Sequence, residues 1–110
     1  MDIKRGDIVY LNRVIPAEEH IQGGRRPYVV VSNDIGNCHS DFCVIVPLTS
    51  KINKKWLPTH AATCYHGSVC LCEQIFTIPQ SAIADVVFHL PYRDLKTINR
   101  CLHIAFMGGR

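Results

Sequence analysis

The sequence predicts a mainly β protein, a compact barrel or sandwich that ends in one helix. Several short apolar runs rich in Val and Ile are separated by residues that favour turns, a pattern typical of small all-β domains. Near the end of the chain, apolar residues recur instead at helical spacing. A length of 110 residues with 47% hydrophobic residues is enough for one core, so we expect a single domain spanning residues 1–110.

The first two strands are predicted on either side of a glycine-bearing loop. Residues 7–14 and 28–32 are rich in β-branched and aromatic residues, which favour strands. The segment between them contains Gly23 and Gly24 and has the length of a functional loop rather than a tight turn. We therefore expect the second strand to follow a loop that carries binding or catalytic residues.

A third strand, residues 42–48, follows a turn-prone stretch at 33–37. The strand is a nearly continuous apolar run. Pro47 near its end favours a sheet edge or a bulge, because proline has no N–H to donate to a ladder. Thr49 follows directly, so we expect its side chain at a loop mouth.

Two further strands and one helix complete the predicted fold. Residues 58–64 are the fourth strand candidate, and residues 68–78 form the longest one, which Pro79 ends. The glycines at 108 and 109 stop the helical pattern that closes the chain. Its apolar stripe consists of Leu95, Ile98, Leu102 and Ala105. We therefore expect five strands and a C-terminal amphipathic helix.

The charge permits a nucleic-acid partner without requiring one, since 12 Lys and Arg stand against 9 Asp and Glu. Residues 1–7 are polar and lack the apolar core of a secretion signal, and no later run has the length of a membrane span. We expect a cytoplasmic protein whose 6 cysteines are free thiols. The cysteines and histidines lack the paired Cys-x-x-Cys spacing of a zinc site, so neither a metal nor a cofactor is expected.

The loop before the second strand is the first candidate for chemistry. Arg26 follows Arg25 and a Gly-Gly pair, and Pro27 biases Arg26 toward extended backbone. A guanidinium stays protonated and can hold a phosphate through paired hydrogen bonds, so Arg26 is suited to stabilise a scissile phosphate. The alternative from these residues alone is a solvated loop with no catalytic role.

Thr49 is the second candidate. A hydroxyl at a strand end can donate to a phosphate oxygen or orient an attacking group. The alternative is that Thr49 and Ser50 simply form a turn.

A basic loop after the third strand is a candidate nucleic-acid surface. Trp56 follows Lys54 and Lys55. A flat ring among cations can stack an unpaired base while the cations neutralise phosphates. The alternatives are an aromatic clamp on the barrel and a basic loop that only keeps the segment soluble.

Together these segments resemble the MazF/PemK family of toxin ribonucleases over nearly the whole chain. Residues 4–10 resemble the family's opening strand, and residues 24–34 resemble its arginine-proline strand. Further similar segments are residues 46–51, 57–60 and 68–75.

The resemblance implies an SH3-like small barrel of the CcdB/MazF type with a C-terminal α-helix, usually a homodimer. It implies the toxin of a type II toxin-antitoxin system, which cleaves single-stranded mRNA at short motifs without a metal or cofactor. The ribose 2′-hydroxyl would attack its own phosphate and leave a 2′,3′-cyclic phosphate and a 5′-hydroxyl. A cognate antitoxin protein would cover the RNA groove.

By the same resemblance, Arg26 and Thr49 take the family's catalytic arginine and threonine positions. From residue chemistry rather than from the resemblance, Arg25 can hold phosphate and His20 can transfer a proton near pH 7, so these two and Gln22, all in the loop before the second strand, are the expected supporting residues. The residues expected to bind RNA are Gly24, Ser50, Lys51, Lys54, Lys55, Trp56 and Gln74.

Three positions depart from the family pattern. Phe76 stands where many relatives carry an arginine, and Pro79 and Ile21 stand where acidic residues are common. These differences leave open a decayed member that binds RNA or an antitoxin without cleaving. A CcdB-like toxin that binds DNA gyrase is the other alternative, although residues 106–110 do not resemble the tryptophan-bearing tail linked with gyrase binding.

Overall fold

A computed structural model describes residues 2–16, 26–50 and 56–108. Within these ranges, seven strands and two α-helices follow one another, with a short 3₁₀ turn at Gln80–Ala82. The strands are β1 (Asp7–Leu11), β2 (Tyr28–Val30), β3 (Phe42–Thr49), β4 (His60–Ala62), β5 (Val69–Leu71), β6 (Phe76–Pro79) and β7 (Ile83–His89); the helices are α1 (Asp34–His39) and α2 (Tyr92–Met107). No helix in this part of the chain is long and apolar enough to cross a membrane.

The seven strands form one antiparallel sheet in the order β4-β5-β3-β2-β1-β7, with β6 also paired to β3. β3 is central, because β2 covers one of its edges while β6 and β5 share the other. Among the described residues, the sheet path ends at β4 and β7 without a closing ladder, so the fold is barrel-like but open. The predicted fold class, a mainly β barrel-like domain with a C-terminal helix, is confirmed.

Pro47 lies where β3 changes neighbours. β6 pairs with the first half of β3 and β5 pairs with its last two residues, so Pro47 falls between the two ladders. On the β2 side, the Leu48 N–H donates to the Pro27 carbonyl at 2.9 Å. Because successive N–H groups point to opposite edges of a strand, the nitrogen of Pro47 faces the gap. β3 as a whole is therefore not an edge strand, but on this side it has no ladder partner at Pro47, so the proline is accommodated at a local gap in the sheet.

The segment predicted as one long strand at 68–78 is two strands joined by a turn. The backbone N–H of Gln74 donates to the Leu71 carbonyl at 3.1 Å and closes this turn. The turn-prone stretch at 33–37 becomes α1, because the Asn33 side chain caps the helix by accepting from the Gly36 N–H at 2.8 Å. β7 is absent from the predicted strands, because its sequence shows no alternation of apolar and polar residues. The structure agrees with this pattern, since only the first residue of β7 is buried.

Two apolar clusters fill the two sides of the sheet. One contains Ile8, Val29 and Val46 and packs under Ile98 of α2. The other contains Val9, Val30 and Ile45 on the opposite side. The predicted helical stripe is confirmed at three positions: Ile98 is fully buried, and Leu95 and Leu102 pack against the same cluster. Gly108 ends α2 with φ of 82°, as its predicted stop signal requires.

Candidate active site

Arg26 and Thr49 lie opposite each other, just before β2 and at the end of β3. Tyr28 faces Pro47 in the β2–β3 ladder, and the backbone hydrogen bond between residues 48 and 27 keeps that register beyond β2. Extending the register by two residues on each strand brings Arg26 opposite Thr49. Directly opposite residues hold their side chains on the same face, with Cβ atoms about 5 Å apart. Both residues are half-buried.

The face that this pair shares is the one turned away from α2. Side chains alternate along a strand, so Arg26 follows the direction of Tyr28 and Thr49 follows that of Ile45. Tyr28 and Ile45 both belong to the cluster on the side opposite Ile98. A substrate bound across the pair would therefore meet the sheet and not the C-terminal helix.

Gln74 contacts Arg26 directly. Its Oε1 accepts a hydrogen bond from Arg26 Nη2 at 3.2 Å, although the residues are 48 positions apart in the chain. Gln74 closes the turn between β5 and β6, and β5 also pairs with Thr49 through Val69. β5 and the turn that follows it thus contact two of the predicted site residues, Thr49 and Arg26.

Phe76 contributes to packing next to the site. It pairs with Ile45 in the β3–β6 ladder, and its ring meets Tyr28 edge-on with centroids 6.4 Å apart. The half-buried phenyl ring extends the apolar cluster on this face of the sheet. Position 76 therefore supplies apolar surface where the family resemblance implies a cation in many relatives.

The predicted RNA-binding residues are only partly within the described chain. Ser50 is exposed directly after Thr49, and half of the Trp56 surface is exposed to solvent. Other predicted residues lie outside the described chain: the RNA-binding residues Gly24, Lys51, Lys54 and Lys55, and the supporting residues His20, Gln22 and Arg25.

His60 and Glu73 form a cluster that the sequence did not indicate. His60 is buried at the start of β4, where Nδ1 accepts the Leu57 N–H at 3.1 Å and Nε2 lies 3.5 Å from Glu73 Oε2. Glu73 Oε1 accepts the Thr59 hydroxyl at 2.7 Å. Trp56 meets the imidazole edge-on at 5.6 Å between ring centroids. The available signal was the position of His60 in one of the family-like segments and of Glu73 immediately before Gln74.

The buried thiols are poor nucleophiles. Burial raises the pKa of Cys43 to about 11, and contact with the Cys72 thiol, followed by burial, raises the pKa of Cys70 well above its usual value. The thiolate is the reactive form of cysteine, so these side chains stay protonated and unreactive near neutral pH. Across residues 2–16, 26–50 and 56–108, no group of three or more His, Cys, Asp or Glu side chains is arranged to hold a metal ion.

Arg26 and Gln74 offer a guanidinium and an amide that are hydrogen-bonded to each other, and Thr49 offers a hydroxyl opposite Arg26 in the extended β2–β3 register. These groups donate hydrogen bonds and place fixed positive charge, which suits an anionic ligand. They can stabilise negative charge that develops in a reaction at a phosphate, provided the substrate brings its own nucleophile.

Comparison with known proteins gives consistent matches along the chain. The family model described as "PemK-like, MazF-like toxin of type II toxin-antitoxin system" matches residues 4–106. Endoribonuclease EndoA of Bacillus subtilis is 38% identical over 96% of this chain and 95% of its own length. Endoribonuclease MazF of Staphylococcus saprophyticus is 33% identical over 94% of this chain and 90% of its own.

Two solved structures share the fold. An endoribonuclease in complex with its cognate antitoxin, from a mycobacterial species, superposes with a TM-score of 0.76 at 22% identity and covers 94% of this chain and 93% of its own. A MazE-MazF structure from Deinococcus radiodurans gives a TM-score of 0.72 at 23% identity and covers 100% of this chain and 99% of its own.

Proposed function

The chain belongs to the PemK-like, MazF-like family of type II toxin-antitoxin toxins, and from this membership we propose that it is an endoribonuclease that cleaves single-stranded mRNA without a metal. The observation that carries the proposal is the β2–β3 register, which sets Arg26 opposite Thr49 when it is extended two residues beyond Tyr28, together with the hydrogen bond from Arg26 to Gln74. The endoribonuclease names of relatives 38% and 33% identical favour RNA cleavage over the gyrase-binding alternative.

The proposed reaction is an in-line attack within the RNA. The ribose 2′-oxygen bonds to the adjacent phosphorus, the bond from phosphorus to the 5′-oxygen breaks, and the 2′-hydroxyl proton is balanced by a proton gained at the 5′-oxygen. The products are a 2′,3′-cyclic phosphate and a 5′-hydroxyl. Because the substrate supplies the nucleophile, the protein has only to align the reacting atoms and stabilise charge.

Each site residue has a proposed role in that reaction. Arg26 binds the non-bridging phosphate oxygens and stabilises their developing charge. Gln74 orients the guanidinium through the 3.2 Å hydrogen bond. The Thr49 hydroxyl donates a hydrogen bond that orients the phosphate or the attacking oxygen.

The proposed RNA-binding surface surrounds this centre. The half-exposed Trp56 ring stacks an unpaired base, and nearby cations neutralise flanking phosphates. Ser50 next to Thr49 contributes a further hydroxyl. Segments that adjoin Arg26 and Ser50 in the sequence would supply the remaining proposed contacts and supporting groups: His20, Gln22, Gly24, Arg25, Lys51, Lys54 and Lys55.

End-group analysis of the cleaved RNA tests this proposal. A mixed pool of single-stranded RNA incubated with the protein in EDTA is expected to yield fragments with 5′-hydroxyl ends, and sequencing those ends gives the cleavage motif. An oligonucleotide with that motif and one 2′-deoxyribose at the cut site is expected to stay intact, because the nucleophile is missing. Fragments with 5′-phosphates, or cutting of the deoxy substrate, would contradict the mechanism.

A non-cleaving member that binds RNA is the second candidate function. The packing of Phe76 on Tyr28 favours it, since this position gives the site no cation. In that case the pool would be bound without yielding new 5′ ends.

The proposed protein partner is a cognate antitoxin that covers the RNA-binding surface while the chain acts on mRNA in the cytoplasm. Antitoxin complexes of proteins with the same fold support this partner. A segment that orders on binding can cover a long groove in this way.

We also propose a homodimer that uses the exposed edge strand β7. Six of its seven residues are exposed, among them Val86, Val87 and Phe88, and an apolar strand edge readily pairs with another chain. Light scattering is expected to give twice the chain mass of 12.4 kDa. Val87→Lys is expected to return the mass to that of one chain. Val14→Lys is the matched control, because Val14 is 45% exposed and Val87 43%; equal masses for both variants would place the interface elsewhere.

A further inference from the structure

His60 connects two parts of the site through its two ring nitrogens. Nδ1 accepts the backbone N–H of Leu57 at 3.1 Å, and Nε2 lies 3.5 Å from the Glu73 carboxylate. The side chain is buried, with 7% of its surface exposed. Since Nδ1 acts as an acceptor, the single proton of the neutral ring is on Nε2 and points toward Glu73. Nδ1 therefore accepts a hydrogen bond from one segment, while Nε2 makes a 3.5 Å contact with another.

The Nε2 side leads to Arg26. Glu73 precedes Gln74 in the turn after β5, and the Thr59 hydroxyl holds the other Glu73 oxygen at 2.7 Å. The Cys72 N–H also donates to the Thr59 carbonyl at 3.1 Å. These bonds fix the turn from which Gln74 reaches Arg26 Nη2. A displaced Glu73 would consequently shift the groups that orient the guanidinium.

The Nδ1 side leads to Trp56. The bond to the Leu57 N–H fixes the backbone directly after Trp56, and a second bond runs from the His60 N–H to the Leu57 carbonyl at 3.0 Å. The imidazole also meets the Trp56 ring edge-on. With half of its surface in solvent, the Trp56 ring is held by these contacts in one orientation while it remains open to a base.

We propose that His60 is a positioning residue that sets the Arg26–Gln74 centre through Nε2 and the Trp56 base platform through Nδ1. It touches neither the reacting atoms nor the RNA. This inference rests on the proposed ribonuclease function. It assigns different effects to the two ring nitrogens: Nε2 affects the rate of cleavage, and Nδ1 affects RNA binding.

Two amide substitutions separate the two nitrogens. In His60→Asn, the side-chain oxygen can occupy the place of Nδ1 and keep the Leu57 bond, while the Glu73 contact is lost. In His60→Gln, the longer amide can reach the place of Nε2 and keep the Glu73 contact, while the Leu57 N–H loses its acceptor. We expect His60→Asn to lower kcat about tenfold with KM nearly unchanged, since small misplacements of catalytic groups are costly. We expect His60→Gln to raise KM about tenfold with kcat nearly unchanged, since base stacking contributes mainly to binding.

Trp56 fluorescence gives a readout that does not depend on cleavage. Trp56 is the one tryptophan of the chain, so the emission reports on it alone. Acrylamide quenching is expected to increase in His60→Gln and to match the wild type in His60→Asn. His103→Gln and His103→Asn, at an exposed position of α2, are the controls and should change neither quenching nor kinetics.

The outcomes separate this inference from the proposed function. The same kinetic change in both His60 variants, or equal quenching in both, would overturn the division between the two nitrogens. Equal loss of melting temperature and of activity in both variants would overturn it as well, because the effect would then be one of stability alone. A different result would contradict the proposed function itself: cleavage by Arg26→Ala at the wild-type rate.

Discussion

Replacement of Arg26 by alanine is expected to lower kcat for RNA cleavage by about 100- to 1,000-fold, the usual effect of removing one preorganised donor from a developing oxyanion. The guanidinium is proposed to bind the scissile phosphate, and its bond to Gln74 keeps it in place before RNA arrives. Single-turnover cleavage of an oligonucleotide that contains the cleavage motif measures the change. RNA binding, followed by the quenching of Trp56, is expected to weaken far less than kcat.

Two further arginine variants sharpen this result. Arg26→Lys keeps the charge but not the planar pair of donors, so it is expected to recover only part of the lost rate. Arg13→Ala removes an exposed arginine whose side chain bonds to Asn12, and it should cleave like the wild type. Equal cleavage by the wild type and Arg26→Ala would assign the activity to another centre or to a contaminating nuclease.

Removal of the Thr49 hydroxyl is expected to have the second-largest effect. A hydrogen bond to a charged group contributes about 1.5–3 kcal/mol, which corresponds to roughly a 10- to 100-fold loss of kcat. Thr49→Val keeps the shape of the side chain and its place opposite Arg26, so the loss is specific to the hydroxyl. The same single-turnover measurement applies, with thermal melting to show that the β3–β5 pairing is intact.

Thr49→Ser and Thr77→Val are the matched controls. Serine retains a hydroxyl at the same position and is expected to recover most of the rate. Thr77 is an exposed strand residue of β6, so Thr77→Val repeats the chemical change away from the site and should leave cleavage unaltered. If Thr49→Val and Thr77→Val cleave equally well, the Thr49 hydroxyl has no part in the reaction.

The sequence predicted the elements in which local pattern and packing agree. β3 is a long apolar run, and the stripe of α2 repeats at helical spacing, so both were found near their observed positions. The division of residues 68–78 into β5 and β6 was missed because apolar residues continue on both sides of the turn. β7 was missed because its exposed apolar residues give neither the alternation of a half-buried strand nor the turn signals of a loop.

The candidate site was predictable as a set of residue types but not as a geometry. Arg26 and Thr49 stood out through the family resemblance, whereas their opposition follows from the β2–β3 register, which depends on long-range pairing. His60 and Glu73 are 13 positions apart, and their contact depends on which ring nitrogen of His60 carries the proton. No local sequence pattern specifies either the contact or the tautomer. The sequence therefore predicted Arg26 and Thr49 as site residues but not the buried His60, which contacts the segments that carry Glu73 and Trp56.

Because the β2–β3 register sets Arg26 opposite Thr49, insertions and deletions within these strands have a different effect from those outside them. A one-residue insertion or deletion within β2 or β3 would turn one member of the pair to the opposite side of the sheet and disrupt the centre in a single step. Residues 17–25 and 51–55 lie just outside the pair on the chain, so changes of length there leave the register intact. If Arg26 and Thr49 form the proposed centre, changes of length in residues 17–25 or 51–55 would alter the proposed RNA contacts and leave the opposed pair unchanged.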